Sequence, residues 1–285
     1  MKTSLGYRIV IWVGVAILLI WSLGPIYWTL ASSVTPSNDF SARPIHFFPT
    51  SFTFNHFERL LGINVDRIGG VQVWAQFRAA LFNSIVASLA ATVVCVAFAA
   101  LGGYAFTRLK FVGRQTLFLA VVATLAIPGY AVLIPLYRIM IGMHLIDTFL
   151  GITLIYVSAY LPLTLWLMRS VFEALPVSLE EAAQIDGAGR LYVFFRIVLP
   201  LVGPGLTAAA ILTFLGAWGQ YLVPLIFSPT ATKPLTVLIP EFAGKNFIDY
   251  GLITAAGAVA IVIPALVVIF LNRYLVTGLL AGSVK

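Results

Sequence analysis

The sequence predicts an all-α integral membrane protein with six transmembrane helices. Composition is the first reason: 61% of the 285 residues are hydrophobic and only 9% are charged, where a soluble domain carries about 25% charged residues. A mean hydropathy of +1.02 excludes a soluble globular, disordered or fibrous chain. Charge placement is the second reason. Six windows, 9–38, 79–107, 115–137, 148–168, 197–232 and 250–272, contain no Asp, Glu, Lys, Arg or His. Each exceeds the roughly 20 apolar residues that a helix needs to cross a bilayer. The windows with flanking loop trimmed give spans at about 9–33, 80–107, 115–137, 148–168, 203–227 and 250–272, in a single transmembrane domain over 1–285.

The first span opens on Lys2 and Arg8 and runs apolar to about Ser33, with Trp21, Tyr27 and Trp28 towards its far end. A signal peptide has an apolar core of only about 7–15 residues, so this segment is expected to stay as a span with an interfacial aromatic belt. In the segment 34–78, a short amphipathic helix is predicted over Asn55 to Leu61, followed by a flexible loop that includes INVDRIGGVQ. Cys95 stands mid-way along span two, where a lone cysteine reads as a small packing residue. Pro128, Pro135, Pro162, Pro224 and Pro264 fall in the spans and predict kinks.

The net charge of +7 reads as topology. Lys and Arg accumulate in loops that remain in the cytoplasm. With the N-terminus inside, the inner segments carry 10 basic and 4 acidic residues and the outer ones 7 basic and 6 acidic. The turn 108–114 is the clearest inner segment, with Arg108, Lys110 and Arg114 and no acid. Both termini are therefore expected in the cytoplasm, and 34–78 and 228–250 outside.

Absent chemistry narrows the function. There is no G-x-x-x-x-G-K-[ST] phosphate loop. The histidines His46, His56 and His144 lack the spacing of a helical zinc site. No span contains an acid, which argues against an intramembrane protease, and the lack of any ionisable residue there argues against a proton pump or secondary transporter. An enzyme is not expected, nor a cofactor held by this chain. If the protein moves a solute, the energy comes from a partner; a stand-alone channel or facilitator for a small neutral solute is the other class.

The loop 169–200, RSVFEALPVSLEEAAQIDGAGRLYVFFRIVLP, carries the strongest local signal. Ser178 followed by Glu181 predicts a capping box, and Glu180 and Glu181 suit the positive end of a helix. A helix of about two turns through Asp186 should end at Gly187 in a left-handed stop. A second helix is predicted from about Gly189 to Leu199, with Leu191, Phe194, Phe195 and Val198 on one side at i, i+3, i+4 and i+7. Pro200 should break the chain before span five. Ala182 and Ala183 allow close approach of another surface, and Leu179 and Ile185 add apolar anchors. Such a helix-turn-helix suits either a groove in a cytoplasmic partner or a lipid surface, and the few basic residues on its first helix favour the partner.

Glu181-Ala182-Ala183, three residues, Gly187, nine residues, then Ile197-x-Leu199-Pro200 resembles the EAA loop of ABC importer permeases position for position. LEEAAQIDGA resembles in particular the carbohydrate-uptake, maltose-type branch. FPTSFTFNHFERLL (48–61), FNSIVAS (82–88), GYAFTRLKFVGR (103–114), LPLTLWLMRSVFEALP (161–176) and RYLVTGLLAGSVK (273–285) extend the likeness along most of the chain, the last resembling the tail of the second, MalG-like subunit. The resemblance implies a type I ABC importer permease fold with a cytoplasmic coupling-helix loop between helices 4 and 5. It implies a bacterial or archaeal plasma membrane, a second homologous permease, two cytoplasmic ATPase subunits carrying ATP and Mg, and an extracytoplasmic solute-binding protein. It implies that Glu180, Glu181, Ala182, Ala183, Asp186 and Gly187 couple the permease to an ATPase. Span five departs from the pattern: after Trp218, where many relatives have Asn and an acid, stand Gly219 and Gln220.

Sugars are held by aromatic faces and neutral hydrogen-bonding groups. Asn83, Tyr130, Trp218, Gln220 and Tyr221 are accordingly the candidate solute-path residues, with Tyr156 and Tyr160 beside them. Gly216 and Gly219 flank Trp218 and are expected to loosen the helix there.

Overall fold

A computed structural model of the chain describes residues 5–41, 43, 46–63, 70–244 and 248–282. The chain forms two compact units, residues 1–79 with 238–263, and residues 80–237 with 264–285.

In the first unit, α1 (Leu5–Ser33) is an apolar helix. The short α2 (Asn55–Leu61) has the predicted bounds. It starts with Glu58 in its first turn and ends at Gly62, whose φ of 67° lets the Ile63 amide reach back to the Glu58 carbonyl at 2.9 Å. Three contacts pin α2. Leu60 is buried. His56 Nε2 lies 2.9 Å from the Thr35 carbonyl. Arg59 pairs with Asp249 at 2.7 Å, beside the start of α13 (Tyr250–Gly282). The flexible loop expected next falls mainly on 64–69, outside the described residues. Its tail is not loop: α3 (Gly70–Arg108) begins ten residues before the predicted start of span two.

The second unit is built on α3. Ala80, Ser84, Ala87, Ser88, Ala91, Cys95 and Ala99 are all buried. They recur every three or four residues, so one side of the helix is a seam of small side chains that admits close neighbours. Cys95 is a packing residue, its Sγ 3.8 Å from the Val157 carbonyl. Against this seam stand α6 (Phe149–Glu173) and α10 (Gly203–Trp218). Thr148 caps α6, its hydroxyl accepting from the Gly151 amide at 3.0 Å. The hydroxyls of Thr164 and Thr213 meet at 3.0 Å between α6 and α10. One buried cluster gathers Phe118, Met168, Phe172, Phe194 and Val198; another gathers Met140, Ile155, Tyr156 and Phe227.

Among the described residues, four helices are long and apolar enough to cross a membrane, and up to six segments qualify when each bent helix pair counts as one. Two of the six segments are interrupted, one at the expected proline kink and one at the expected glycine. Span three is broken: α4 (Arg114–Ala123) and α5 (Leu133–Gly142) belong to a pair bent by 94°. The break falls at Pro128, which lacks an amide to donate, between short 3-10 turns at Thr124–Ala126 and Gly129–Val132. Span five ends at Gly219 and resumes as α11 (Leu222–Phe227). Pro162 and Pro264, also expected kinks, sit inside helices that run on through them.

Candidate coupling loop and solute cavity

The loop between α6 and α10 folds into α7 (Ser178–Ile185), α8 (Arg190–Val193), a π-helical turn (Phe194–Val198) and α9 (Leu199–Leu201). The capping box is absent. Ser178 is already helical and Val177 holds the N-cap position without a side-chain bond. The Glu181 amide is satisfied by the Val177 carbonyl at 3.1 Å, so no hydroxyl is needed. The stop at Gly187 is as expected, with φ +88°. Its amide bonds the Gln184 carbonyl and the Ala188 amide bonds the Ala183 carbonyl, both at 3.0 Å. That pair of bonds is a Schellman closure.

The second helix departs from its predicted face. Val193, Phe194 and Val198 are buried, while Leu191 and Phe195 are exposed. The π turn is the reason: the Leu199 amide reaches the Phe194 carbonyl five residues back, which rotates the register that an unbroken 3.6-residue helix would keep. Pro200 does not break the chain. It lies in the first turn of α9, where a missing amide costs little. The 73° bend comes two residues later, between Leu201 and Gly203.

The adjacent acids diverge. Glu181 is exposed, with Ala182 and Asp186. Glu180 is buried. Its Oε1 accepts from Arg108 Nε at 2.5 Å and its Oε2 accepts from the Tyr104 hydroxyl at 2.8 Å. Arg108 also donates to the Leu175 carbonyl at 2.7 Å. The Tyr104 ring packs 4.8 Å from Phe194 and 5.8 Å from Phe172. This cluster was missed in the sequence, where Arg108 reads as a topology charge and Glu180 as a helix-dipole residue. The available signal was that an acid in a short helix following a span and an arginine ending a small-residue helix are both costly to bury unpaired.

A cavity in the second unit lies where span three breaks and span five ends. It measures about 460 Å³ and is lined by Thr124, Tyr130, Ser158 and Gln220 among apolar neighbours, with no charged side chain. Gln220 Nε2 donates to the Tyr160 hydroxyl at 2.6 Å, and that hydroxyl donates to the Gly216 carbonyl at 2.7 Å. Tyr130 and Gln220, far apart in sequence, thus share one wall. The other candidates lie off its lining. Trp218 is buried and stacked on Phe214 at 5.6 Å. Tyr221 is exposed. Asn83 is buried, its amide donating to the carbonyls of Ala231 and Lys233 at 3.0 and 2.9 Å. Tyr156 is buried in the second cluster.

Asn83 is one of two latches on the segment between α11 and α12 (Leu235–Glu241). Asp147 is the other. Its carboxylate accepts from the amides of Thr230, Ala231 and Thr232 at 3.3, 2.8 and 3.0 Å and from the hydroxyls of Thr230 and Thr232. Partial burial by itself would raise the Asp147 pKa; the hydrogen bonds outweigh it and bring the group from 3.8 down to about 2. A carboxyl with a depressed folded pKa stabilises above its unfolded pKa, and that contribution fades as pH falls towards the folded value. The amides of 230–232 should therefore lose hydrogen-exchange protection between pH about 4 and about 2. Asp147→Asn should show weak protection already at pH 7 and no change across that window.

Residues 95–280 match the family described as "Binding-protein-dependent transport system inner membrane component". The chain belongs to this family. It is a multi-pass membrane protein and a permease subunit of an ATP-driven importer, the transport component of such a system. This sets aside the stand-alone channel. A probable ABC transporter permease protein of Pyrococcus horikoshii is 32% identical over 94% of this chain and 96% of its own length. The trehalose transport system permease protein SugB of Mycobacterium tuberculosis is 34% identical over 93% of each chain. A chain from the crystal structure of a bacterial ABC transporter that imports the acidic polysaccharide alginate superposes with a TM-score of 0.79, at 22% identity, over 96% of this permease and 98% of that chain. The fold is thus that of an ABC importer permease.

Proposed function

We propose that this permease forms half of the path for a neutral sugar or related polyol and is driven by a cytoplasmic ATPase docked on α7. Its partners are a second homologous permease, two ATPase subunits that hold ATP and Mg, and an extracytoplasmic solute-binding protein. Both termini and the loop 169–200 face the cytoplasm. ATP-driven approach of the ATPases moves α7, and the permease shifts between two arrangements of which ATP favours one.

The observation that carries the docking is the outer face of α7. Ile185 is 86% exposed and Leu179 44%, on a helix whose opposite side is held by buried Glu180. Apolar anchors on a short helix, with acids beside them, suit a protein groove. Glu181, Ala182 and Asp186 share the exposed surface, Ala183 packs on the core, and Gly187 closes the turn. Ile185→Asp should place a charge at the centre of the contact and lower ATPase co-purification at least about 30-fold, an anchor-residue effect of about 2 kcal/mol or more. Unchanged co-purification would reject docking at α7.

A sugar is supported by the uncharged cavity with its Gln220 amide, Ser158 and Tyr130, whose size lies within the about 300–1,000 Å³ of small-ligand sites. The Mycobacterium relative is named for trehalose. The inside-positive charge bias supports the orientation. In a Cys95→Ala background, a cysteine at fully exposed Val112 should label only from the cytoplasm and one at exposed Pro229 only from outside. Labelling of both from one side would reject the topology. Thr232 would be a poor probe, because it is buried and bonded to Asp147.

A further inference from the structure

Glu180 and Glu181 are neighbours in sequence, yet one faces the protein interior and the other faces out. Glu180 reaches the end of a helix 72 residues away in the chain. Arg108 is the last residue of α3, and its guanidinium bonds both the Glu180 carboxylate and the Leu175 carbonyl just before α7. Tyr104, one turn earlier on α3, takes the second carboxylate oxygen. The two charged side chains are only 10% and 4% exposed.

Fold stability alone is a weak reason for this arrangement. Removing two charges from water offsets most of their attraction, and apolar replacements of similar volume are often as stable. What a buried pair supplies is geometry: a planar guanidinium bonded at two points admits few orientations. We propose that Arg108, Glu180 and Tyr104 form a strut that makes α7 and the adjoining end of span two move as one body. Arg108 is then a positioning residue for coupling, separate from the surface that attaches the ATPase. Displacement of α7 reaches α3 directly through side chains rather than only along the backbone into α6 and α10. This inference rests on the reading that an ATPase docks on α7.

The test uses the assembled complex in lipid, with Cys95→Ala and spin labels at Val112, beyond the end of α3, and at Leu191 in α8, which the Gly187 turn joins to α7. Both positions are exposed. In the otherwise wild-type complex, the distance between the labels should be the same without nucleotide and with a non-hydrolysable ATP analogue. In Arg108→Met and in Glu180→Gln the analogue should shift it by about 2 Å or more, the scale of helix displacements at interfaces, while the ATPase remains attached. A shift of that size without either substitution would overturn the strut, and this measurement does not depend on either variant folding. Variants that keep the ATPase and show no shift would overturn it as well. Failure of the docking reading is separately visible, as retention of the ATPase by Ile185→Asp.

Discussion

Gly216→Val should sharply reduce transport while leaving membrane insertion intact. A Cβ at 216 would lie 2.5 Å from Cε1 and 2.8 Å from Cζ of Tyr160. That ring cannot step aside freely, because its hydroxyl bonds the Gly216 carbonyl and receives the Gln220 amide. Displacing Tyr160 releases Gln220, the one amide side chain on the cavity wall. Overpacking of this kind costs about 1–3 kcal/mol, and the added volume lands beside the proposed path. Uptake of whichever sugar the wild-type complex carries should fall at least about tenfold, with a lowered thermal midpoint of the purified complex. Gly219→Ala is the control. Its Cβ would meet only the Leu215 carbonyl, at 3.3 Å, and uptake should stay within about threefold of wild type. Equal loss in both variants would show that Tyr160 is not what makes position 216 special.

Gly187→Val should lower ATPase attachment about 5–30-fold, corresponding to the roughly 1–2 kcal/mol that a left-handed conformation costs a residue with a Cβ. No atom lies within 4 Å of a Cβ built at 187, so the effect is conformational and not a collision. With φ forced away from +88°, the two Schellman bonds open and α8 leaves its place against α7. A two-turn helix has little stability of its own to absorb that loss. Gly187→Asn should retain most attachment, because Asn tolerates the left-handed region. Glu181→Ala removes no cap, so a loss of attachment in that variant reports a contact with the ATPase itself. Wild-type attachment of Gly187→Val would remove α7 from the docking account.

The features legible in the sequence are those set by local chemistry. Six uncharged windows require six apolar segments, because charge is expelled from a bilayer whatever the packing. The bounds of α2 and the stop at Gly187 were legible because a glycine reaching the left-handed region ends a helix by itself. The breaks in spans three and five were only half legible. A proline marks where a helix is weak, but neighbours decide whether it gives way: Pro128 sits in a break and Pro162 in an unbroken helix.

What tertiary structure decided is which of two equivalent residues meets a partner. Ser178 and Glu181 have capping-box spacing, yet the Val177 carbonyl already serves the amide that the box would satisfy. Glu180 and Glu181 are indistinguishable in a two-turn helix until Arg108 is placed beside one of them. Gly216 and Gly219 flank Trp218 symmetrically in sequence, and only the first abuts a tyrosine ring. Trp218 and Gln220 are two residues apart, and only Gln220 reaches the cavity. Composition and hydropathy by themselves determined that this is a multi-span membrane protein, since transfer free energy is additive along a chain. The wall of the cavity, the latch on Asp147 and the pairing of Arg108 with Glu180 depend on the directions of side chains brought together from distant segments. Periodicity within one segment carries no information about those directions.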